Sequence, residues 1–357
     1  MKIITIVGAR PQFIKAAPFS REIRKYAEEI IVHTGQHYDK NMSDIFFEEL
    51  HIPRPKYNLA IGSGNHGKQT GEMLEKIEEV LLNEKPNAVL VYGDTNSTLA
   101  GALAASKLLI PVIHIEAGLR SFNKAMPEEQ NRILTDHISE LLFCPTETAV
   151  NNLEKENIKN KVFNVGDIMY DAVLYNIKLA EEKSHILETL NLKEKEYILA
   201  TIHRAENTNS YEKMKSIVEA FNKANKEIVL PLHPRTIGFL KKYDLSFSEK
   251  IKVIEPVGYL DMLLLEKNAS KILTDSGGVQ KEAYFLDVPC ITMRDETEWV
   301  ETINYGWNIL VGADYNKILS ALENEFVKKE KPLCFGDGNT SKKISDCLLY
   351  TSDAADE

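Results

Sequence analysis

Short runs of β-branched and aliphatic residues recur along the whole chain, each followed by a segment with helical spacing, and this alternation leaves few folds open. The runs in the first half are Lys2–Val7, Ile30–Thr34, Ala88–Tyr92, Val112–Glu116, Leu141–Cys144 and Val162–Val165. Strand–helix–strand units of this kind build a doubly wound parallel sheet with helices on both faces. Between the second and third runs, Met73, Leu74, Ile77, Val80 and Leu81 fall on one helical face, the spacing a helix needs to cover a sheet. The pattern restarts after a long polar helical segment, with runs at Tyr197–Thr201, Glu227–Leu230, Ile251–Ile254, Lys271–Thr274 and Cys290–Met293. A chain of 357 residues with 43% hydrophobic content fills more than one core. The expected organisation is therefore two Rossmann-like α/β domains facing across a cleft: residues 1–168, a connector helix over 169–192, and residues 193–346.

A net charge of −10 argues against a general nucleic-acid binder, so any anionic ligand must find local cations. Cys144, Cys290, Cys334 and Cys347 show neither metal-ligand nor redox spacing, and the chain starts with a strand rather than a signal peptide. The most apolar stretch, Leu99–Ile115, is broken by Lys107 and Pro111 and is too short to span a bilayer. The expectation is a cytoplasmic protein without a membrane segment, metal or cofactor. The last residues, Cys347–Glu357, become small and acidic, resemble translated sequencing adapter, and are expected to be non-native or disordered.

Three acids stand where a ligand could reach them: Asp94 in Val91-Tyr92-Gly93-Asp94-Thr95, Glu116 in His114-Ile115-Glu116-Ala117-Gly118, and Glu128 in Met126-Pro127-Glu128-Glu129. The first two end apolar runs, and ligands of open α/β sheets bind beyond the carboxyl ends of the strands. Together they suggest proton chemistry; any one alone reads first as a helix cap.

After the first strand, Gly8-Ala9-Arg10-Pro11-Gln12-Phe13-Ile14-Lys15 has one glycine where a dinucleotide fingerprint needs three, which argues against a nicotinamide site. Arg10 and Lys15 could instead hold phosphate, or be solvated surface cations. In the second half, Thr274-Asp275-Ser276-Gly277-Gly278 runs from a strand into a helix. Bare glycine amides there make either a diphosphate cradle or a tight turn, in about equal measure. Glu282, one turn on, could accept from ribose hydroxyls or be an ordinary helix acid. His203-Arg204 and His233-Pro234-Arg235 follow two further strands, and the pairing of His with Arg at both suggests stabilisation of a departing anion. His37 and His114 lack such company and read as structural.

In this order, Gly8-Ala9-Arg10-Pro11 through Lys15, Gly93-Asp94-Thr95, Glu116-Ala117-Gly118-Leu119-Arg120, Pro127-Glu128-Glu129, His203-Arg204 and Thr274-Asp275-Ser276-Gly277-Gly278 resemble the non-hydrolysing UDP-N-acetylglucosamine 2-epimerases over nearly the whole chain. The resemblance implies the two-domain glycosyltransferase-B fold, usually as a homodimer. It also implies a reaction on a UDP-2-acetamido sugar, UDP-GlcNAc to UDP-ManNAc by default, in the supply of surface polysaccharide precursors. A glycosyltransferase of the same fold is the rival, as is a non-catalytic UDP-sugar binder. By resemblance, Asp94, Glu116 and Glu128 form an acid/base set, His203 supports the departing diphosphate, and Arg10, Lys15, Ser276, Gly277, Gly278 and Glu282 bind UDP. His233 and Arg235 join them as candidate ligands to the substrate.

Two departures from the family's wording bear on substrate and control. Thr297-Glu298-Trp299-Val300-Glu301 places Trp299, beside Glu298, where many bacterial members carry arginine. With Phe143-Cys144-Pro145-Thr146 and Val165-Gly166-Asp167, this wording resembles the branch acting on UDP-2,3-diacetamido-2,3-dideoxyglucuronate. Tyr38 in Gly35-Gln36-His37-Tyr38 stands where substrate-activated members commonly carry arginine, which argues against activation by a second UDP-sugar; drift in a surface loop accounts for it equally well.

Overall fold

A computed structural model describes residues 1–36, 47–48, 51, 53–327 and 329–353; His37 and Tyr38 lie outside the described residues, as do the side chains of Arg10 and 351–353. The chain divides into two compact units, Met1–Leu174 with Leu333–Glu357, and Tyr175–Pro332.

The first unit is a seven-stranded sheet of β1 (Lys2–Val7), β2 (Glu28–His33), β3 (Tyr57–Asn58), β4 (Ala88–Tyr92), β5 (Val112–Ile115), β6 (Leu141–Cys144) and β7 (Val162–Asn164), in the order β3-β2-β1-β4-β5-β6-β7. Every pairing is parallel. Its helices include α1 (Arg10–Ile23), α2 (His66–Glu84), α3 (Asn96–Lys107), α4 (Pro127–Ile138) and α5 (Glu147–Lys155). On α2, Met73, Ile77, Val80 and Leu81 are buried and Leu74 partly so, packed with Ile4, Ile6, Val89 and Val91 of the sheet. Each such side chain contributes about 1.5–3 kcal/mol by leaving water. Thr95 and Thr98 cap α3 reciprocally, Thr98 N donating to Thr95 Oγ1 at 3.3 Å and Thr95 N to Thr98 Oγ1 at 3.1 Å.

The second unit has β8 (Tyr197–Thr201), β9 (Glu227–Pro231), β10 (Ile251–Ile254), β11 (Lys271–Thr274), β12 (Cys290–Thr292) and β13 (Asn308–Leu310), in the parallel order β10-β9-β8-β11-β12-β13. Both sheets therefore reverse direction of growth beside their first strand, between β1 and β4 and between β8 and β11, the place where doubly wound folds hold ligands. The expected α/β class is present in both units. The short edge strands β3 and β13 escape a periodicity reading because they span only 57–58 and 308–310.

The connecting segment is α6 (Ile168–Lys183) followed by the short α7 (Ile186–Thr189), and the unit boundary falls inside α6, after Leu174. The second unit also holds α8 (Ala205–Thr208), α9 (Tyr211–Lys223), α10 (Pro234–Tyr243), α11 (Tyr259–Asn268), α12 (Gly277–Phe285), α13 (Val300–Asn304) and α14 (Tyr315–Glu323). The last helix, α15 (Thr340–Asp353), packs against α1 in the first unit, so the boundary expected at 346 moves to 332. Asp171 anchors it, accepting from Thr340 N at 3.0 Å and Ser341 N at 2.8 Å. The helix runs through Cys347 to Asp353, with Leu348 buried and Tyr350 exposed. Among the described residues no helix is long and apolar enough to cross a membrane.

Candidate active site

In the first unit, the carboxyl edges of β1, β4 and β5 are tied together by buried polar side chains. Gln12, in the first turn of α1, accepts from Gly8 N at 2.8 Å and Ala9 N at 3.0 Å, and its amide donates to the Tyr92 carbonyl at 2.8 Å. It thereby joins the loop after β1 to the loop after β4. Lys15, one turn later on α1, forms a buried ion pair with Glu116 at the end of β5. Gly93 makes room for this pair: a Cβ there would lie 3.0 Å from Glu116 Oε2 and 3.2 Å from Lys15 Nζ, and its φ of 62° suits glycine. Glu116 itself has a φ of 71°, a left-handed backbone that costs a residue with a side chain roughly 1–3 kcal/mol and persists where its surroundings over-determine it.

Asp94 follows Gly93 and is about a third exposed. Arg132 grips one of its oxygens through Nε at 3.0 Å and Nη2 at 2.7 Å, and Asn131 donates to the Asp94 carbonyl at 2.9 Å. Both residues lie on α4, whose first turn carries Glu128 and Glu129, where carboxylates suit the helix dipole. The two acids separate in role. Glu129 is buried and accepts from Ser121 N and Phe122 N, each at 2.9 Å, and from Arg132 Nη1 at 2.7 Å. Burial alone would raise it, but these donors hold it below the usual carboxylate value. Glu128 remains partly exposed. Asp94 and Glu116 thus end adjacent strands, and Glu128 sits on the helix bonded to the Asp94 loop.

In the second unit the organising residue is Asp275, directly after β11 and fully buried. It accepts from His203 N at 3.1 Å, Arg204 N at 3.0 Å and Asn207 Nδ2 at 3.2 Å, drawing the loop after β8 to the loop after β11. His203 Nδ1 lies 3.4 Å from Asp275 Oδ1. Partial burial lowers the His203 pKa from its ordinary value, and the neighbouring Arg204, His233 and Arg235 add to this against the pull of Asp275. His233 caps α10, accepting from Arg235 N at 3.2 Å; both are exposed, and Arg235 lies over Phe239.

Ser276 caps α12, whose first residues are Gly277 and Gly278. The two glycines differ. A Cβ on Gly278 would meet only Ser276 Oγ, at 3.8 Å, so the space beside it is open; a Cβ on Gly277 would lie 2.8 Å from Glu298 Oε1. Behind Gly277, Arg294 Nη1 is 3.2 Å from Glu298 Oε2, and Lys281 Nζ stands 3.9 Å from the centre of the Trp299 ring, a cation–π contact. Trp299, Glu282 and Lys281 are all buried.

The family model described as UDP-N-acetylglucosamine 2-epimerase matches residues 21–349. A UDP-N-acetylglucosamine 2-epimerase homolog of Methanococcus maripaludis is 61% identical, over 98% of this chain and 99% of its own. The UDP-2,3-diacetamido-2,3-dideoxy-D-glucuronate 2-epimerase of Pseudomonas aeruginosa is 52% identical, over 98% and 99%. The crystal structure of Methanocaldococcus jannaschii UDP-GlcNAc 2-epimerase in complex with UDP-GlcNAc and UDP superposes with a TM-score of 0.92 at 52% identity, over 98% of this chain and 100% of that one.

The chain belongs to the UDP-N-acetylglucosamine 2-epimerase family. It shares the family's two-domain, glycosyltransferase-B type of fold. Within that family's frame, the residues singled out from sequence divide between the units: Lys15, Asp94, Glu116 and Glu128 in the first, with the backbone of Arg10 opening α1, and His203, His233, Arg235, Ser276, Gly277, Gly278, Glu282, Glu298 and Trp299 in the second. Sequence reading missed Gln12, Arg132, Asp275 and Arg294. Asp275 and Gln12 stood inside the quoted motifs, and an acid or amide beside a strand end was the available signal. Arg132 and Arg294 gave none. Among the described residues no group of three or more His, Cys, Asp or Glu is placed to hold a metal ion.

Proposed function

We propose that the chain is a 2-epimerase of a UDP-2-acetamido sugar, converting UDP-N-acetylglucosamine to UDP-N-acetylmannosamine. The observation that carries this is Glu116, held in a left-handed backbone and ion-paired with Lys15 beside Gly93-Asp94 on the next strand. The proton at C2 of an aminosugar is not adjacent to a carbonyl, so elimination is the route open to side chains alone. The C1–oxygen bond to UDP breaks as a base takes the C2 proton and a C1–C2 double bond forms. UDP then returns to C1 while an acid protonates C2 from the other face. Two faces need acids and bases on both, a role suited to Asp94, Glu116 and Glu128.

His203, whose pKa burial lowers from its ordinary value, can take up a proton as negative charge develops on the departing diphosphate. The first-turn amides of Gly277 and Gly278 offer that diphosphate hydrogen bonds and the positive end of α12, with Ser276 beside them. Arg10, Lys15 and Arg235 supply cations, His233 a further polar contact, and Glu282 acceptors for ribose hydroxyls.

A second reading, epimerisation of UDP-2,3-diacetamido-2,3-dideoxyglucuronate, is favoured by the relative from Pseudomonas aeruginosa at 52% identity and by Trp299. Incubating the protein with each sugar nucleotide and following the anomeric protons by NMR tests both. Conversion of one substrate to its 2-epimer is the expected result; no conversion of either defeats the proposal. Asp94→Asn separates an epimerase from a UDP-sugar binder, because turnover should be lost while UDP affinity is kept.

A further inference from the structure

In the first unit, His114 and Asp136 form a pair that the acid/base set does not use, and both side chains are shut off from solvent. His114 lies in β5, and its Nε2 meets the Gly93 carbonyl oxygen at 2.8 Å. That carbonyl belongs to the peptide bond that enters Asp94. On the other side of the ring, Nδ1 meets Asp136 Oδ1 at 2.7 Å. The second oxygen of Asp136 accepts from Gly118 N at 3.1 Å, just beyond Glu116, and from Arg120 Nη1 at 2.7 Å. One imidazole and one carboxylate therefore tie the loop bearing Asp94 to the loop bearing Glu116.

The hydrogen bonds fix the chemistry of the pair. A carbonyl oxygen only accepts, so Nε2 carries a proton. Burial pushes Asp136 up, yet His114 and Arg120 together hold it below the usual carboxylate value, so it too acts as an acceptor. The ring is thus held at both nitrogens, by the Gly93 carbonyl on one side and the Asp136 carboxylate on the other. Arg120 is itself held by both oxygens of Glu156, at 2.7 and 2.8 Å.

We propose that His114 and Asp136 are positioning residues for the epimerisation, setting the spacing of the Asp94 and Glu116 carboxylates by clamping the peptide before one and the amide after the other. The clamp acts on backbone that needs holding, because Gly93, Glu116 and Gly118 all have positive φ, at 62°, 71° and 79°. Displacing a reacting group by roughly 1 Å lowers a rate by about 100-fold. This inference rests on the epimerase reading above.

The test compares Asp136→Asn and His114→Gln with Glu29→Gln. Glu29 is also a buried carboxylate of the first unit, bonded to Thr5 Oγ1, Ser20 Oγ and Arg24 Nε, but it sits at the amino end of β2. The measurements are kcat, KM, UDP binding by calorimetry and thermal melting. Both clamp variants should lose about 10- to 100-fold in kcat, with KM and UDP affinity within about twofold of wild type. Glu29→Gln should melt earlier and keep its kcat. If the clamp variants keep kcat within about twofold while wild type epimerises, or if Glu29→Gln loses as much, the inference is overturned. Should Asp136→Asn not fold, His114→Gln decides by the same criteria. A wild type that epimerises neither substrate defeats the underlying reading instead, a separate and recognisable failure.

Discussion

The two units share a strand order and put opposite chemistry at the same topological place. In each, the loop after the fourth strand borders the loop after the first, and an aspartate stands there: Asp94 after β4, Asp275 after β11. Asp275 is consumed as a fastener, accepting from the backbone of His203 and Arg204. In the first unit that fastening is done by Gln12, an amide with both donor and acceptor ends. Asp94 is thereby left partly exposed and gripped by Arg132 on one oxygen. The lesson is that a strand-end acid becomes available for chemistry when a different side chain holds the loops together. The other two acid/base candidates, Glu116 and Glu128, also lie in the first unit, whereas the helix-start glycines Gly277 and Gly278 lie in the second with His203, His233 and Arg235.

The largest expected effect separates these edges directly. Glu116→Gln should lower kcat by about 10²- to 10⁴-fold with UDP affinity unchanged, as expected for a group moving a proton. An equal loss of UDP affinity, read by calorimetry, would erase the division of labour. Next come the fasteners. Asp275→Asn removes a buried charge from three donor groups and should cost about 2–4 kcal/mol in denaturant unfolding and weaken UDP binding. Gln12→Leu should cost about as much stability, yet be felt in kcat, because it frees the Asp94 loop.

How much of this could be read from the chain alone follows from the range of each interaction. The strand and helix alternation was legible because periodicity is local, and Met73, Ile77, Val80 and Leu81 showed their face without help from the fold. The acids Asp94, Glu116 and Glu128 were legible as strand-end or helix-start residues. His114 was read as structural because its partner Asp136 lies 22 residues on, inside α4, and no spacing rule connects them. Asp275 looked like part of a turn, since the amides it holds are about seventy residues earlier. Glu128 and Glu129 looked alike in sequence; only the donors around Glu129 tell them apart.

Two smaller effects sharpen the second unit's side. Gly277→Ala drives a Cβ against Glu298 and should cost about 1–3 kcal/mol, with UDP affinity falling and kcat at saturation nearly kept. Strengthening of UDP binding as the pH falls below 6.5 should be partly due to His203, whose depressed pKa places its protonation on the acid side of the ordinary value. His203→Asn should flatten that profile by less than about tenfold, and an unchanged profile would remove His203 from the diphosphate.

The central claim is proton removal at C2 with loss and return of UDP. Incubation with UDP-N-acetylglucosamine in heavy water, followed by proton NMR, reads it directly. The C2 proton signal should disappear from both epimers as deuterium enters, at a rate tied to epimerisation and abolished in Glu116→Gln. Epimerisation that retains the original C2 proton, or no exchange at all with either candidate substrate, would contradict it.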